Sequence, residues 1–405
     1  MNHNRRLCLM MLCLGLFFAG VPAANWLINP YRAWRPAVID TIYLGLAKGG
    51  ERVMTPYRVR NEQPTTLLVG SSRVLYGMPI EQGYRDGVLN AALPGATIDE
   101  IAAVLRLALD NPKLKRVIWG VDFYAFDENY AGFRDPETHA RLDREIPILT
   151  KETLLSLDAL EDSYTLVLKA IAGRGRIPPS SRLPIPWPEP VIREALEQTA
   201  PSDADSSGQA VRAAHAAQWV YTYAHHRHSP GQLALFEDTV AHITKAGVEL
   251  VLFIPPMSEY ELETVRQTGQ WETFQQWKRE VAGVSPYWDF SGYHELSHQD
   301  HFFGDFVHAS HFCHFRPGVG EVILRRLLSR DCAACGSTAQ SILEAGVWVD
   351  PATLEEHLAR QEAARIAQLE QDSPYAKLVE EVIDPKRVAS RSAATSAPTA
   401  ARAGE

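Results

Sequence analysis

Thr65-Thr66-Leu67-Leu68-Val69-Gly70-Ser71-Ser72-Arg73 is the stretch that decides the fold, because a short apolar run ends abruptly in Gly-Ser-Ser. A strand buried on both faces reads as a near-continuous hydrophobic run, and open α/β sheets gather their chemistry at the carboxyl ends of their strands. Ser71 and Ser72 fall at such an end. One reading is a nucleophilic serine delivered to a turn, and the other is an ordinary strand-to-helix turn with serine as N-cap.

Outward from this stretch, apolar runs alternate with amphipathic ones. Strands are expected at Thr65 to Val69, Gly87 to Ala91, Arg116 to Val121 and Val248 to Ile254. Between the second and third, a helix from Thr97 to about Leu109 carries Ile101, Leu105 and Leu109 on one face, and Asn111-Pro112 stops it. Another helix, from about Leu233 to Ala246, leads into the Val248 strand. The expected class is α/β, a three-layer α/β/α sandwich around a mainly parallel sheet.

The boundaries follow composition. Residues 1–28 form an N-terminal apolar segment, 29–330 an α/β domain with a helical insertion at about 142–228, 331–387 a helical extension, and 388–405 an Ala/Ser/Thr-rich tail expected to be disordered. The proline-rich Ile177 to Pro190 breaks the insertion and reads as a surface excursion or a lid.

The 405 residues are 46% hydrophobic, enough for a large core, and their net charge of −9 argues against a nucleic-acid partner. Arg5 and Arg6 precede an uncharged, largely apolar run from Leu7 to Gly20, the pattern of an export signal. The run fits a retained single-pass signal anchor in the inner membrane with a periplasmic domain. It equally fits a signal peptide cleaved near Val21-Pro22-Ala23-Ala24, which would release the domain to the periplasm. In that oxidising compartment Cys332-Ala-Ala-Cys335 can close a small structural disulfide, whereas its position late in the core does not suit a redox motif.

A serine nucleophile needs oxyanion donors and a base. The second expected strand ends in Asn90-Ala91-Ala92-Leu93-Pro94-Gly95, offering a glycine N–H, and the third in Gly120-Val121-Asp122. A turn glycine and a helix N-cap aspartate would explain Gly95 and Asp122 equally well. Histidines crowd Gly304-Asp305-Phe306-Val307-His308-Ala309-Ser310-His311-Phe312-Cys313-His314-Phe315-Arg316-Pro317. His308, His311 and His314 recur every three residues, with His294, His298 and His301 nearby, so a divalent ion such as Zn²⁺ is an alternative occupant of this segment. Trp187, Trp271, Trp277 and Trp288 are expected either in the core or as flat surfaces for stacking on sugars.

Gly70-Ser71-Ser72, Asn90 with Gly95, Gly120-Val121-Asp122, Asp289-Phe290-Ser291-Gly292-Tyr293 and the histidine before Phe315-Arg316-Pro317-Gly318 together resemble the SGNH/GDSL hydrolase superfamily. Within it the chain is similar to the membrane-anchored exported branch that includes D-alanine transfer and alginate O-acetylation proteins, over Asn29 to about Leu328. The resemblance implies Ser72 as nucleophile, the N–H groups of Ser72 and Gly95 as oxyanion donors, and Asp122 where the family has asparagine. Arg73 and Asn90 are expected to contact substrate.

The last family block, Asp-x-x-His, is altered. His314 is the best match for the base and His311 falls where the aspartate belongs. If His311 is the base, His308 takes that position, and only Asp305 with His308 keeps the spacing. Ser72 with His314, then His311, with Asp305 as a substitute carboxylate, is the favoured set. The implied function is a serine esterase or O-acyltransferase without cofactor, acting on an acylated cell-envelope or extracellular polysaccharide. A membrane-bound O-acyltransferase and the membrane itself are the implied partners. The alternative is an inactive glycan-binding or metal-binding accessory protein.

Overall fold

The computed structural model describes residues 3–34, 50–78, 84–132, 150–172, 187–197, 217–298, 301–302, 313–330 and 333–384. A seven-stranded sheet, ordered β2-β3-β1-β4-β5-β6-β7, organises them. Its five central strands, β1 (Thr66–Val69), β3 (Val88–Asn90), β4 (Arg116–Gly120), β5 (Glu249–Ile254) and β6 (Tyr287–Asp289), pair in parallel. β2 (Tyr84–Arg85) and β7 (Val347–Val349) close the two edges in antiparallel fashion. All four expected strands are present, shorter by a residue or two at their ends. β7 falls in the segment expected to be a purely helical extension, which therefore completes the sheet.

Both faces of the sheet are buried, which is why its strands lack polar alternation. Leu67, Val69, Val117, Trp119, Leu252 and Ile254 point to one face, Leu68, Ile118 and Phe253 to the other. The first face is covered by α4 (Ile98–Leu109), α7 (Pro230–Lys245), α8 (Glu259–Gln267), α9 (Trp271–Val284) and α12 (Leu354–Leu369). The second is covered by α3 (Ser72–Gly77), α6 (Glu189–Glu197), α10 (Pro317–Leu327) and α11 (Ser337–Ala345). The fold is therefore α/β with a mostly parallel sheet between helical layers.

Helix α4 starts where its sequence says it should. Thr97 and Glu100 form a reciprocal capping box that satisfies two amides of the first turn. Helix α7 begins at Pro230, three residues before the expected start, because Ser229 caps it by accepting from the Gln232 amide. The C-terminal helix α13 (Pro374–Ile383) packs Val379 against Tyr260 of α8.

The N-terminal run forms α1 (His3–Ile28), but no described helix is long and apolar enough to cross a membrane, so the expected transmembrane span finds no support. The end of α1 is docked instead. Asn25, fully buried, donates to the Leu154 and Ser156 carbonyls at 3.0 Å and accepts from Ser163 Oγ at 3.1 Å. Tyr31 adds a hydrogen bond to Asp162 at 2.8 Å. Ser163 and Asp162 belong to α5 (Leu157–Ile171), the part of the expected insertion that the structure shows as a long helix. The proline-rich 177–186 and the tail 388–405 lie outside the described residues.

Candidate active site at the carboxyl ends of β1, β3 and β4

The chain leaves β1 and pairs β3 on one side, then crosses to β4 on the other. The crevice where strand order reverses, the usual ligand position in open α/β sheets, therefore opens beside the residues following β1 and β4. Gly70 makes the exit possible. It sits at φ +150°, and a Cβ there would come within 2.6 Å of the Val74 side chain and 2.9 Å of the Gly120 carbonyl oxygen.

Of the two serines that follow, one fills the N-cap role that the sequence offered. Ser71 is the N-cap of α3, its Oγ accepting from the Arg73 amide at 3.2 Å. Ser72 opens the helix and is half-buried, so its hydroxyl is not consumed by the cap.

The loop after β3 is sewn to this turn. The Leu93 amide donates to the Gly70 carbonyl at 3.0 Å, which brings the Leu93–Gly95 turn alongside Ser72. Gly95 adopts φ +57°. Behind it a buried ion pair fixes the loop: Arg52 of α2 (Gly50–Glu62) donates to the Pro94 carbonyl at 2.7 Å and to Glu100 at 2.8 Å and 3.1 Å. The Asn90 side chain is committed within the fold. Its Nδ2 donates to the Val74 carbonyl and its Oδ1 accepts from the Ala92 amide, both at 3.0 Å, so it clamps α3 to the end of β3.

Arg73 and Asp122 also depart from their expected roles. Arg73 is 2% exposed and lies in a buried cluster, Nη1 on Asp122 Oδ1 at 3.1 Å and Nη2 on Glu261 of α8. Its guanidinium stacks over Tyr124 at 5.4 Å and Trp219 at 5.8 Å, and Tyr223 donates to Glu261 at 2.6 Å. Burial opposes the charge of Arg73, but the two carboxylates outweigh it and hold the guanidinium pKa above its ordinary value. An arginine so enclosed ties β1, β4 and α8 together and cannot reach into solvent for a substrate.

Asp122, hydrogen-bonded by Ser71 and Tyr124 besides its ion pair with Arg73, is an acceptor and cannot serve as an oxyanion donor. Burial pushes its carboxyl pKa up, against the pull of Arg73.

His314 is buried and stands edge-on to Tyr76, ring centroids 5.1 Å apart. Tyr76 lies one turn after Ser72 on α3, so the two share a face of that helix. The approach is close throughout: a Cβ on Gly77 would meet the Phe315 ring at 2.3 Å, and Gly320 of α10 has no room for one against the Gly77 carbonyl. Neighbouring Cys313 is a buried cysteine outside any disulfide and within electrostatic reach of Arg73, its pKa pushed up to about 12 by burial. The structure thus brings Ser72, Gly95, Asp122 and the His314 segment to one end of the sheet. Asp305, His308 and His311 lie outside the described residues.

The described histidines after β6 are held apart. Among the described residues no group of three or more His, Cys, Asp or Glu side chains is arranged to hold a metal ion. His294 is held neutral, its pKa lowered to about 4 by burial, while His298 is exposed and His301 sits 3.8 Å from Glu295. Cys335 is disulfide-bonded, and Cys332, the partner that the sequence offers, lies outside the described residues.

Asp289 and Ser291 fold inward as well. Asp289 accepts from Lys278 and meets His357 Nε2, each at 2.8 Å, and Ser291 Oγ donates to it at 2.7 Å. Trp187, Trp271 and Trp277 are core, and Trp288 is half-buried against Arg326 and Trp348, so none is a free sugar platform.

Sequence reasoning missed Arg52, Glu261, Tyr124 and Tyr223, the supports behind the site. Buried charge at Glu261 and Arg52 has no local signature, because its partners are 188 and 48 residues away.

No family model matches the chain, and neither a curated protein nor a solved structure matches it.

Proposed function

We propose that the chain is an exported serine esterase or O-acyltransferase of the SGNH type, acting on an acylated cell-envelope or extracellular polysaccharide. The observation that carries the reading is the junction of β1 and α3. Ser71 supplies the cap and leaves the Ser72 hydroxyl available, on the helix face against which His314 packs through Tyr76.

In this reading Ser72 Oγ attacks the ester carbonyl carbon while a histidine, His314 in the favoured set, takes the hydroxyl proton. The oxyanion is held by the Ser72 and Gly95 amides, and the histidine returns the proton to the departing sugar oxygen. The acyl-serine is then relieved by water in hydrolysis or by a second hydroxyl in transfer, the histidine now removing that nucleophile's proton. Asp122, paired to Arg73, stabilises the turn rather than the oxyanion. Asp305 or His311 would orient the imidazole.

Association with a membrane is part of the proposal. Trp26 and Leu27 at the end of α1, and Leu155, Leu157, Tyr164, Leu168 and Ile171 on and beside α5, are large apolar side chains left exposed on two docked elements. They fit a surface resting in the headgroup region.

The acceptor-only Asp122 in place of an amide favours a second reading, a glycan-binding protein that keeps the fold without the turnover. A fluorophosphonate probe with an aryl acetate separates the two. Labelling and turnover that vanish in Ser72→Ala support the esterase, and no labelling of folded protein overturns it.

A further inference from the structure

A cavity of about 590 Å³ opens between the segment after β4 and the turn that precedes α7, within the ~300–1,000 Å³ typical of small-ligand sites. Asp127, Asn129, Tyr130 and Gly132 line one side, Tyr221 and 225–227 the other. Its frame is rigid. Asp127 Oδ1 accepts from the Asn129 amide at 3.1 Å and the Arg227 amide at 2.9 Å, and the Glu128 amide donates to the Arg227 carbonyl at 2.8 Å.

The lining has two features that the frame does not explain. Tyr221 is 68% exposed, its ring tilted 35° against His225 at 4.4 Å, an aromatic plane presented at the mouth. His226 lines the same cavity at 6% exposure, yet neither ring nitrogen has a hydrogen-bond partner among the described residues. A buried polar ring without partners is costly unless a ligand or solvent satisfies it. Burial lowers its pKa to about 4, so it is a neutral imidazole with one donor and one acceptor.

We propose that this cavity is a glycan subsite that holds a hexopyranose ring, stacked on Tyr221 and hydrogen-bonded through its hydroxyls to His226. A hydroxyl is both donor and acceptor and matches neutral imidazole, and Asp127 and Arg227 in the wall offset one another, so the lining favours neither an anion nor a cation. One wall of the cavity backs onto the Gly95 turn: Gly132, at φ +61°, lies so close to the Gly95 carbonyl that a Cβ would come to 2.5 Å. Tyr130, in the same wall, is within electrostatic reach of Asp122 and Cys313. The ring would thus lie beside the Ser72 crevice, which rests on the esterase reading; the sugar contact itself does not.

The test uses the full chain carrying Ser72→Ala, titrated with cellotetraose, mannotetraose and chitotetraose by calorimetry and saturation-transfer NMR. At least one is expected to bind, about tenfold more weakly when Tyr221→Ala is added, the equivalent of ~1.4 kcal/mol of stacking. Tyr221→Trp is expected to retain binding. Because Tyr221 is exposed, its replacement leaves the fold intact. Absence of binding by all three, or affinity unchanged in Tyr221→Ala, overturns the subsite. Tyr221-dependent binding by a protein whose Ser72 resists the fluorophosphonate would remove the esterase and leave the subsite standing. Labelled Ser72 without sugar binding would do the reverse.

Discussion

The ring of His314 meets that of Tyr76 edge to face at 5.1 Å, with an interplanar angle of 72°, which ties the histidine segment to the helix that Ser72 begins. Tyr76 is therefore a positioning residue for the proposed base. Ser72→Ala is expected to lower aryl-acetate turnover by ~10⁴-fold or more, and His314→Ala by ~10²–10⁴-fold. Tyr76→Leu should lower kcat by a smaller factor while leaving KM near its original value, because it loosens the base without touching substrate. A Tyr76→Leu effect confined to KM would contradict that role.

Asp122 gives a pH signature. Burial raises its folded pKa above the ordinary 3.8, so the folded chain holds the Asp122 proton more tightly than the unfolded chain does. The associated stability is fully present below the unfolded pKa and is lost as pH rises through the folded one. Asp122→Asn places a group that does not titrate beside Arg73 and removes that loss. The melting temperature of the variant minus that of the natural chain is therefore expected to grow more positive from pH 4 to pH 8. A difference that stays flat or falls across that range would show Asp122 to be a stabilising carboxylate.

Lys278 and Asp289 behave in the opposite sense. Both are fully buried, 2.8 Å apart, and Lys278 Nζ also donates to Ser291 Oγ at 2.8 Å and to Gln361 Oε1 at 2.7 Å. Burial works against the Asp289 carboxylate, but Lys278 and His357 overcome it and hold its pKa well below the ordinary range. Its stabilisation is present above the unfolded pKa and is lost as pH falls below about 3.8. Lys278→Met leaves the carboxylate without its cation and is expected to cost ~3–5 kcal/mol in denaturant unfolding. Adding Asp289→Asn should recover part of this cost and flatten the acid limb. A double variant no more stable than Lys278→Met would show the network, not the pair, to be the stabilising unit.

The central sheet was legible because its strands are local apolar runs with clear stops, such as Leu67-Leu68-Val69 before Gly70. The edges were not. β2 is two residues long, and β7 reads as part of a helical stretch until Trp348 is seen beside Trp288 in the antiparallel register of β6. At the candidate site, the turns that carry Ser72 and Gly95 were readable from their local chemistry. Asn90 and Arg73 were not, since their polar side chains suggest a ligand and only the fold shows them spent on Val74, Asp122 and Glu261. Tryptophan is the residue type that sequence offers first for stacking on sugars, but the core takes up Trp187, Trp271 and Trp277. Tyr221, which the proposed subsite uses, gives no such signal in sequence.

The apolar face around α5 carries the last prediction. Leu157, Tyr164, Leu168 and Ile171 are 61%, 63%, 46% and 79% exposed, and their spacing of seven, four and three residues sets them in one stripe along the helix. Leu166, on another side of α5, is buried, so the helix is packed by one face and presents the stripe with the other. Trp26 and Leu27 lie on α1, which Asn25 and Tyr31 join to this helix. An apolar patch left in water has a standing cost, and a tyrosine and a tryptophan within it suit the headgroup boundary, where one end of each ring is wet. Tyr164→Glu with Leu168→Glu removes two apolar contacts of ~1.5 kcal/mol or more each. The full chain carrying both is expected to partition at least about tenfold more weakly onto phosphatidylcholine vesicles in sedimentation. Neither substitution touches the core, so the far-ultraviolet spectrum should be unchanged. Equal partitioning of the variant and the natural chain would detach this face from the membrane and leave α1 alone to account for any association.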